Sequence, residues 1–115
     1  MVADFDCHVA HGEAHVLETD GTVAGYIVTF AKQGAQFVEN VALAPSFQGR
    51  GLGRQLLAFA DDEARRQGFK RVFLYTNAKM TENLEFYPRL GYVETHRVHE
   101  DGFDRVYMTK ELTDP

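Results

Sequence analysis

The hexapeptide Gln48-Gly49-Arg50-Gly51-Leu52-Gly53 constrains this chain more than any other stretch. Before it lies a strand-like run, Gln36 to Ala44, ended by Pro45. After it, Leu52, Leu56, Phe59, Ala60 and Glu63 recur at helical spacing, so one stripe of the segment faces a core. A glycine-rich loop that opens a helix presents unpaired backbone N–H groups at the positive end of the helix dipole. Such a mouth holds phosphates without a basic protein around it. The loop therefore reads as a cradle for the pyrophosphate of a cofactor.

At 115 residues, with 44% hydrophobic and 12% aromatic side chains, the chain has material for one domain and one core, spanning 1–115. No apolar run approaches the roughly 20 residues of a membrane span, and the first residues lack the pattern of a signal peptide. Neither a membrane nor a nucleic acid is expected as a partner, since the net charge of −5 offers no basic footprint. The lone Cys7 excludes an internal disulfide and fits a reducing compartment, so the expected location is cytoplasmic. A polyanion would need a local site, such as the loop with Arg50 and Arg54. The acidic balance favours a cationic second substrate, such as an amine.

Residues 3–11 are expected to form a short helix or an irregular lead-in. Ala14 to Glu18 and Thr22 to Phe30 read as strands around a turn at Asp20-Gly21, with Gln36 to Ala44 as the next antiparallel strand. A helix is expected from about Gly51 to Gln67, stopped by Gly68, with Asp61–Arg65 and Asp62–Arg66 pairs on its outer face. Arg71 to Thr76 is a buried strand, and strand, helix, strand implies a parallel crossover. A second helix should run from Thr81, as N-cap, to Leu90, with Pro88 kinking or shortening it. Tyr92 to Val98 and Phe103 to Leu112 close the chain as a hairpin around Asp101-Gly102. The fold class is mixed α/β: a mostly antiparallel sheet with one parallel βαβ crossover and flanking helices.

Three readings compete for the glycines at 49, 51 and 53. They could form a turn that merely starts a helix. A dinucleotide site would need glycine where Leu56 stands and an acidic residue where Tyr75-Thr76 stand, and a P-loop would need a lysine that is absent. The fourth reading is a family resemblance. Gln-x-x-Gly-x-Gly after Val41-Ala42-Leu43-Ala44-Pro45 resembles the acyl-CoA motif of the GNAT N-acetyltransferase superfamily. The likeness continues through Glu39-Asn40, Gly68, Val72 to Thr76, Asn83, Tyr87, Leu90-Gly91-Tyr92, Gly102 and Met108 to Leu112, so it covers about residues 14–112.

That resemblance implies acetyl-CoA as co-substrate and no metal. The pyrophosphate would rest on the backbone of Gln48, Gly49, Arg50, Gly51, Leu52, Gly53 and Arg54. The pantetheine arm would run along Val41, Ala42 and Leu43, and Asn83 would contact it from the second helix. The chemistry implied is direct attack of a primary amine, from a small molecule or a peptide, on the thioester. Glu39 would take the ammonium proton, and Tyr87 would protonate the departing thiolate. Each has a plainer alternative: Glu39 as a solvated strand residue, Tyr87 as an aromatic packed on the sheet. Cys7, His8, His11 and His15 match no closed zinc site, and His96 and His99 suit solvated or edge positions.

Relative to the family pattern, residues 1–13 replace a longer N-terminal segment that usually walls the acceptor pocket. An uncovered sheet edge tends to pair, so a homodimer is expected. The rival reading is a non-catalytic acyl-CoA-binding or oligomerising module that has lost its acceptor site.

Overall fold

The computed structural model describes residues 2–4, 14–19, 21–49 and 51–112. Strands β2 (Ala14–Thr19), β3 (Thr22–Lys32) and β4 (Ala35–Leu43) form an antiparallel meander. Gln33 and Gly34 join β3 to β4 with φ of 54° and 76°, both in the left-handed region that a tight hairpin of this hand requires. Ahead of the meander, β1 (Val2–Asp4) pairs antiparallel with β2, Val2 opposite Leu17. This corrects the short helix or irregular lead-in expected from Ala3: a three-residue strand needs only a neighbour's ladder, and β2 offers one. The rest of that expected segment, residues 5–13, lies outside the described residues.

After β4 come a 3-10 turn (Pro45–Phe47) and helix α1 (Leu52–Arg66), then β5 (Arg71–Asn77), helix α2 (Thr81–Arg89), β6 (Val93–Glu100) and β7 (Phe103–Glu111). Among the described residues the sheet has seven strands in the order β1-β2-β3-β4-β5-β7-β6, with β4–β5 as the one parallel pair. Asp101 and Gly102 turn the last hairpin with φ of 50° and 80°, as the Asp-Gly signal predicts. Both helices lie on one face. Leu56, Leu57, Ala60 and Ala64 of α1 pack with Ile27, Val38, Val72, Leu74, Val106 and Met108 of the sheet, and Tyr87 and Tyr92 complete the cluster. No helix among the described residues is long and apolar enough to cross a membrane.

The buried side of α1 is wider than the expected stripe, because Leu57, Asp61 and Ala64 turn inward with Leu56 and Ala60. Asp61 therefore does not pair with Arg65 at the surface. It is 6% exposed, and its Oδ2 accepts from Lys110 Nζ at 2.7 Å. The outer pairs are i,i+3 instead: Asp62 with Arg65 at 3.4 Å, and Glu63 with Arg66. On α2, Met80 rather than Thr81 holds the N-cap position, with no side-chain cap, and Thr81 is the first helical residue. Pro88 is met by an early end, at Arg89. A partly buried relay ties the C-cap of α1 to the sheet: Gln67 Nε2 donates to Gln36 Oε1, Gln36 Nε2 to Thr29 Oγ1, and Thr29 Oγ1 to the Phe37 carbonyl.

Beside the Asp61–Lys110 pair, Asp61 Oδ1 and the Tyr92 hydroxyl are buried without hydrogen-bond partners among the described residues. Burial, with Asp61 nearby, pushes the Tyr92 phenol far above its ordinary range. Lys110→Met should lower unfolding stability by about 2 kcal/mol, since it strands a buried carboxylate. Tyr92→Phe should instead raise it by about 1 kcal/mol, since it removes an unpaired hydroxyl while keeping the ring. Denaturant melts of both variants check the opposite signs.

Candidate functional site

The ladder between β4 and β5 holds only three pairs, Gln36–Val72, Phe37–Phe73 and Val38–Leu74. Beyond them β4 stays with β3, and β5 pairs along its whole length with β7, so the two strands part into a wedge. The cause on the β4 side is a bulge. Val28 faces Asn40 and Thr29 faces Val38, which leaves Glu39 with no partner across the ladder. An extra residue bends its strand and deepens the twist, which turns the end of β4 away from β5.

A cavity of about 300 Å³ fills the wedge and is lined by Glu39, Asn40 and Val41 of β4, Leu74 to Asn77 of β5, Met80, Asn83 and Tyr87, and Phe103 and Arg105 of β7. Along β5 the buried Leu74 and Thr76 alternate with the half-buried Tyr75 and Asn77. Leu74 belongs to the helix-side core, so Tyr75 and Asn77 point to the other face, and the cavity passes between the two. A second cavity of about 380 Å³ lies on the helix face, between the end of β4, the start of α1 and α2. It shares Val41, Met80, Asn83 and Tyr87 with the first, so the two meet at those side chains.

Local sequence explains this shape. Gly25 on β3 lies opposite Leu43, and a Cβ there would come within 2.4 Å of the Ala42 carbonyl oxygen. Glycine lets the end of β4 settle close to β3 rather than across the wedge. Gly49 and Gly51 have φ of 81° and 78°, and Gly51 is the N-cap of α1. That cap carries no side-chain hydrogen bond and the first turn has no acidic residue, so no side chain competes for the first amides of the helix. Gly53 lines the helix-face cavity, where a Cβ would meet Phe86 and Leu43 only at ordinary contact distances of 3.6 and 3.7 Å.

Of the residues singled out in the sequence, Val41, Ala42, Leu43, Gln48, Gly53, Asn83 and Tyr87 line the helix-face cavity, and Glu39 joins Val41, Asn83 and Tyr87 in the wedge. Gln48 Nε2 reaches the Leu43 carbonyl at 3.5 Å. Asn83 Nδ2 donates to Thr76 Oγ1 at 3.1 Å, which fixes the amide and leaves its oxygen available. Glu39 is exposed. Tyr87 is 7% exposed, packs edge-on against Tyr92 at 5.7 Å, and burial raises its phenol above the ordinary value. Gly49 and Gly51 form the turn without lining either cavity, Leu52 is half-buried against the core, and Arg54 is exposed. Arg50 lies outside the described residues, as do Cys7, His8 and His11. His15 packs on Phe59 at 4.5 Å, and no metal-holding cluster occurs among the described residues.

Sequence reasoning missed Gly25, Thr76, Met80 and Arg105. A glycine inside an otherwise strand-like run signals close backbone approach and could have exposed Gly25. The other three become visible only when β5, α2 and β7 are brought together.

A family model described as the acetyltransferase (GNAT) family matches residues 2–92. The chain belongs to that family. Among curated relatives, the GNAT domain is 37% identical over 59 residues to an aminoalkylphosphonate N-acetyltransferase of Salmonella typhimurium, covering 51% of this chain and 38% of that protein. It is 32% identical over 95 residues to the [ribosomal protein bS18]-alanine N-acetyltransferase of the same species, covering 75% and 64%. The chain thus spans less than two thirds of the length of either. A crystal structure of a GNAT family acetyltransferase from Elizabethkingia anophelis with acetyl-CoA bound superposes with a TM-score of 0.76 at 23% identity, covering 86% of this chain and 75% of that one. It shares the fold.

Gly25→Ala should test the packing that shapes the wedge. The added methyl must displace the Ala42 carbonyl or Leu43, and the expected loss is about 1–3 kcal/mol of stability in a denaturant melt. An unchanged melt would show that β4 yields without cost.

Proposed function

We propose that this protein transfers the acetyl group of acetyl-CoA to the primary amine of a small molecule or peptide by direct attack. The observation that carries the reading is the pair of cavities meeting at Tyr87 and Asn83, one opening at the uncapped mouth of α1 and the other passing through the wedge. An anionic diphosphate suits the first, because free amides and the helix dipole favour negative charge there. Gly53 fits the same ligand, since its bare backbone borders the cavity. A pantetheine arm would lie along Val41 to Leu43, and the acceptor would enter from the opposite face of the sheet.

The chain's residues then divide the proton work. An amine with pKa near 10 is about one part in a thousand neutral at pH 7, a handicap of roughly 4 kcal/mol. Glu39 stands in the wedge and takes that proton, directly or through water. The amine nitrogen bonds to the acyl carbon, the carbon–sulfur bond breaks, and the thiolate takes a proton from Tyr87. A raised phenol suits that role, because burial lets Tyr87 keep its proton to higher pH than an ordinary tyrosine. The names of the two curated relatives, one acting on an aminoalkylphosphonate and the other on a ribosomal protein's alanine, support a primary amine as acceptor. The exposed outer strand β6 ends the sheet, and we extend the reading to a homodimer paired along such an edge; a monomer mass in light scattering at micromolar concentration overturns that part.

Two outcomes are expected. Calorimetry should detect saturable coenzyme A binding that Gly53→Ala weakens while the melt stays near that of the parent, since the methyl meets no clash in the protein itself. Absence of binding in the parent ends the reading. Tyr87→Phe should lower kcat at least tenfold with little change in KM for acetyl-CoA. In the parent, the alkaline fall in rate should begin only above pH about 10, because the buried phenol ionises later than an ordinary one.

A further inference from the structure

Arg105 is the strongest unexplained group in the molecule. It stands on β7 opposite Asn77, on the sheet face away from the helices, since its neighbour Val106 is fully buried in the core. Its guanidinium stacks over the Tyr75 ring at 4.6 Å, and its side chain is 22% exposed. Stacking fixes the plane of the fork and shields one side from water. Its charged neighbours are set back: Glu100 Oε2 at 3.7 Å and Asp101 Oδ2 at 3.8 Å, too far for hydrogen bonds. Glu100 already accepts from the Tyr107 hydroxyl at 3.2 Å, and Asp101 is 82% exposed in the turn. The guanidinium of Arg105, a lining residue of the wedge, therefore makes two long ion pairs and no hydrogen bond among the described residues, and the same cavity holds the Glu39 carboxylate.

A cavity with a carboxylate and a preoriented guanidinium on its wall matches a ligand of both charges. We propose that Arg105 binds an anionic group on the acceptor, so the preferred acceptor is a small zwitterion with its primary amine a few bonds from a carboxylate, sulfonate or phosphonate. This rests on the acetyl-transfer reading above. The amine turns toward Glu39 and the thioester, and the anion takes the fork of Arg105, which adds binding energy at the end of the acceptor that does not react. A role confined to clipping the hairpin explains less, because the β6–β7 ladder and the Asp101-Gly102 turn already set that register.

The test measures thiol release from acetyl-CoA with β-alanine, taurine and 2-aminoethylphosphonate, against 3-aminopropanamide and ethanolamine, which carry the amine without an anionic group. For the parent, KM should be about tenfold or more lower for the anionic set, the worth of a charge-assisted hydrogen bond. Arg105→Gln should erase that gap by raising KM for the anionic set alone, with kcat and the melt unchanged, since uniform binding is what is lost. Arg105→Lys should fall between, keeping charge without the fork, and it serves as well if the glutamine variant does not fold. Equal or lower KM for the amines without an anionic group, or an equal effect of Arg105→Gln on both sets, overturns the proposal. Calorimetry of β-alanine into CoA-saturated protein separates the two readings. Binding in the parent that Arg105→Gln abolishes supports the Arg105 site even if no amine releases thiol, a result that ends the transfer reading alone. No β-alanine binding overturns the Arg105 site alone.

Discussion

Beyond Val38 and Leu74 the strands β4 and β5 stop bonding to each other, and the chemistry-bearing groups of the molecule are arranged around that gap. A parallel pair in the middle of a sheet would ordinarily be closed along its length, because backbone groups left open to the interior are costly. Here the inner edges face a cavity instead of a neighbour. The sheet survives the opening because each strand keeps its outer partner: β4 holds β3 up to Leu43, and β5 holds β7 up to Asn77. Glu39, the extra residue of the bulge, sits where the strands begin to part. The same irregularity that makes the gap therefore supplies a carboxylate to it.

The helices give the gap its two different sides. α1 buries Leu56, Leu57, Ala60 and Ala64 on the sheet, which pins its N-terminus beside the end of β4. Gly53 of the uncapped first turn thus borders the helix-face cavity, held there by core packing. α2 closes the wedge from the same face, with Tyr87 anchored in the core by Tyr92 and Asn83 tied to β5 through Thr76. A short helix with a proline in its last turn is a poor helix by itself. Its position is set by these contacts, and the return of the Tyr92 amide to the Tyr87 carbonyl at 3.2 Å closes its end.

Much of this was legible in the residues. Glycine and aspartate fixed the hairpins, the 3.6-residue period placed α1, and the β-rich Arg71 to Thr76 gave the parallel return. What failed was local competition decided by tertiary packing. Asp61 has the spacing of a surface ion pair, yet Lys110, distant in sequence, draws it inward. Thr81 has the side chain of an N-cap, yet it is the first helical residue and Met80 holds the cap position before it. Val2 to Asp4 carry no periodicity of their own and become a strand only because β2 presents an open edge. The site divides the same way. The glycine loop and the residues beside it are contiguous in sequence, so a motif reveals them. The wall formed by Thr76, Met80 and Arg105 comes from three elements whose proximity is a product of the strand order.

That strand order also resolves an apparent conflict of charge. A chain with net charge −5 should repel a polyanion at long range, yet the elements proposed to bind one here are mostly uncharged. Backbone amides at a helix mouth act within one turn, where the dipole is felt and distant carboxylates are screened. The acidic excess can then serve the opposite face. Because the gap runs through the sheet, the two proposed ligands would approach from two directions, the diphosphate at the amides of the helix face and the amine at Glu39 on the other. A closed sheet would force both onto the same side of the molecule, and the acidic surface would then oppose one of them.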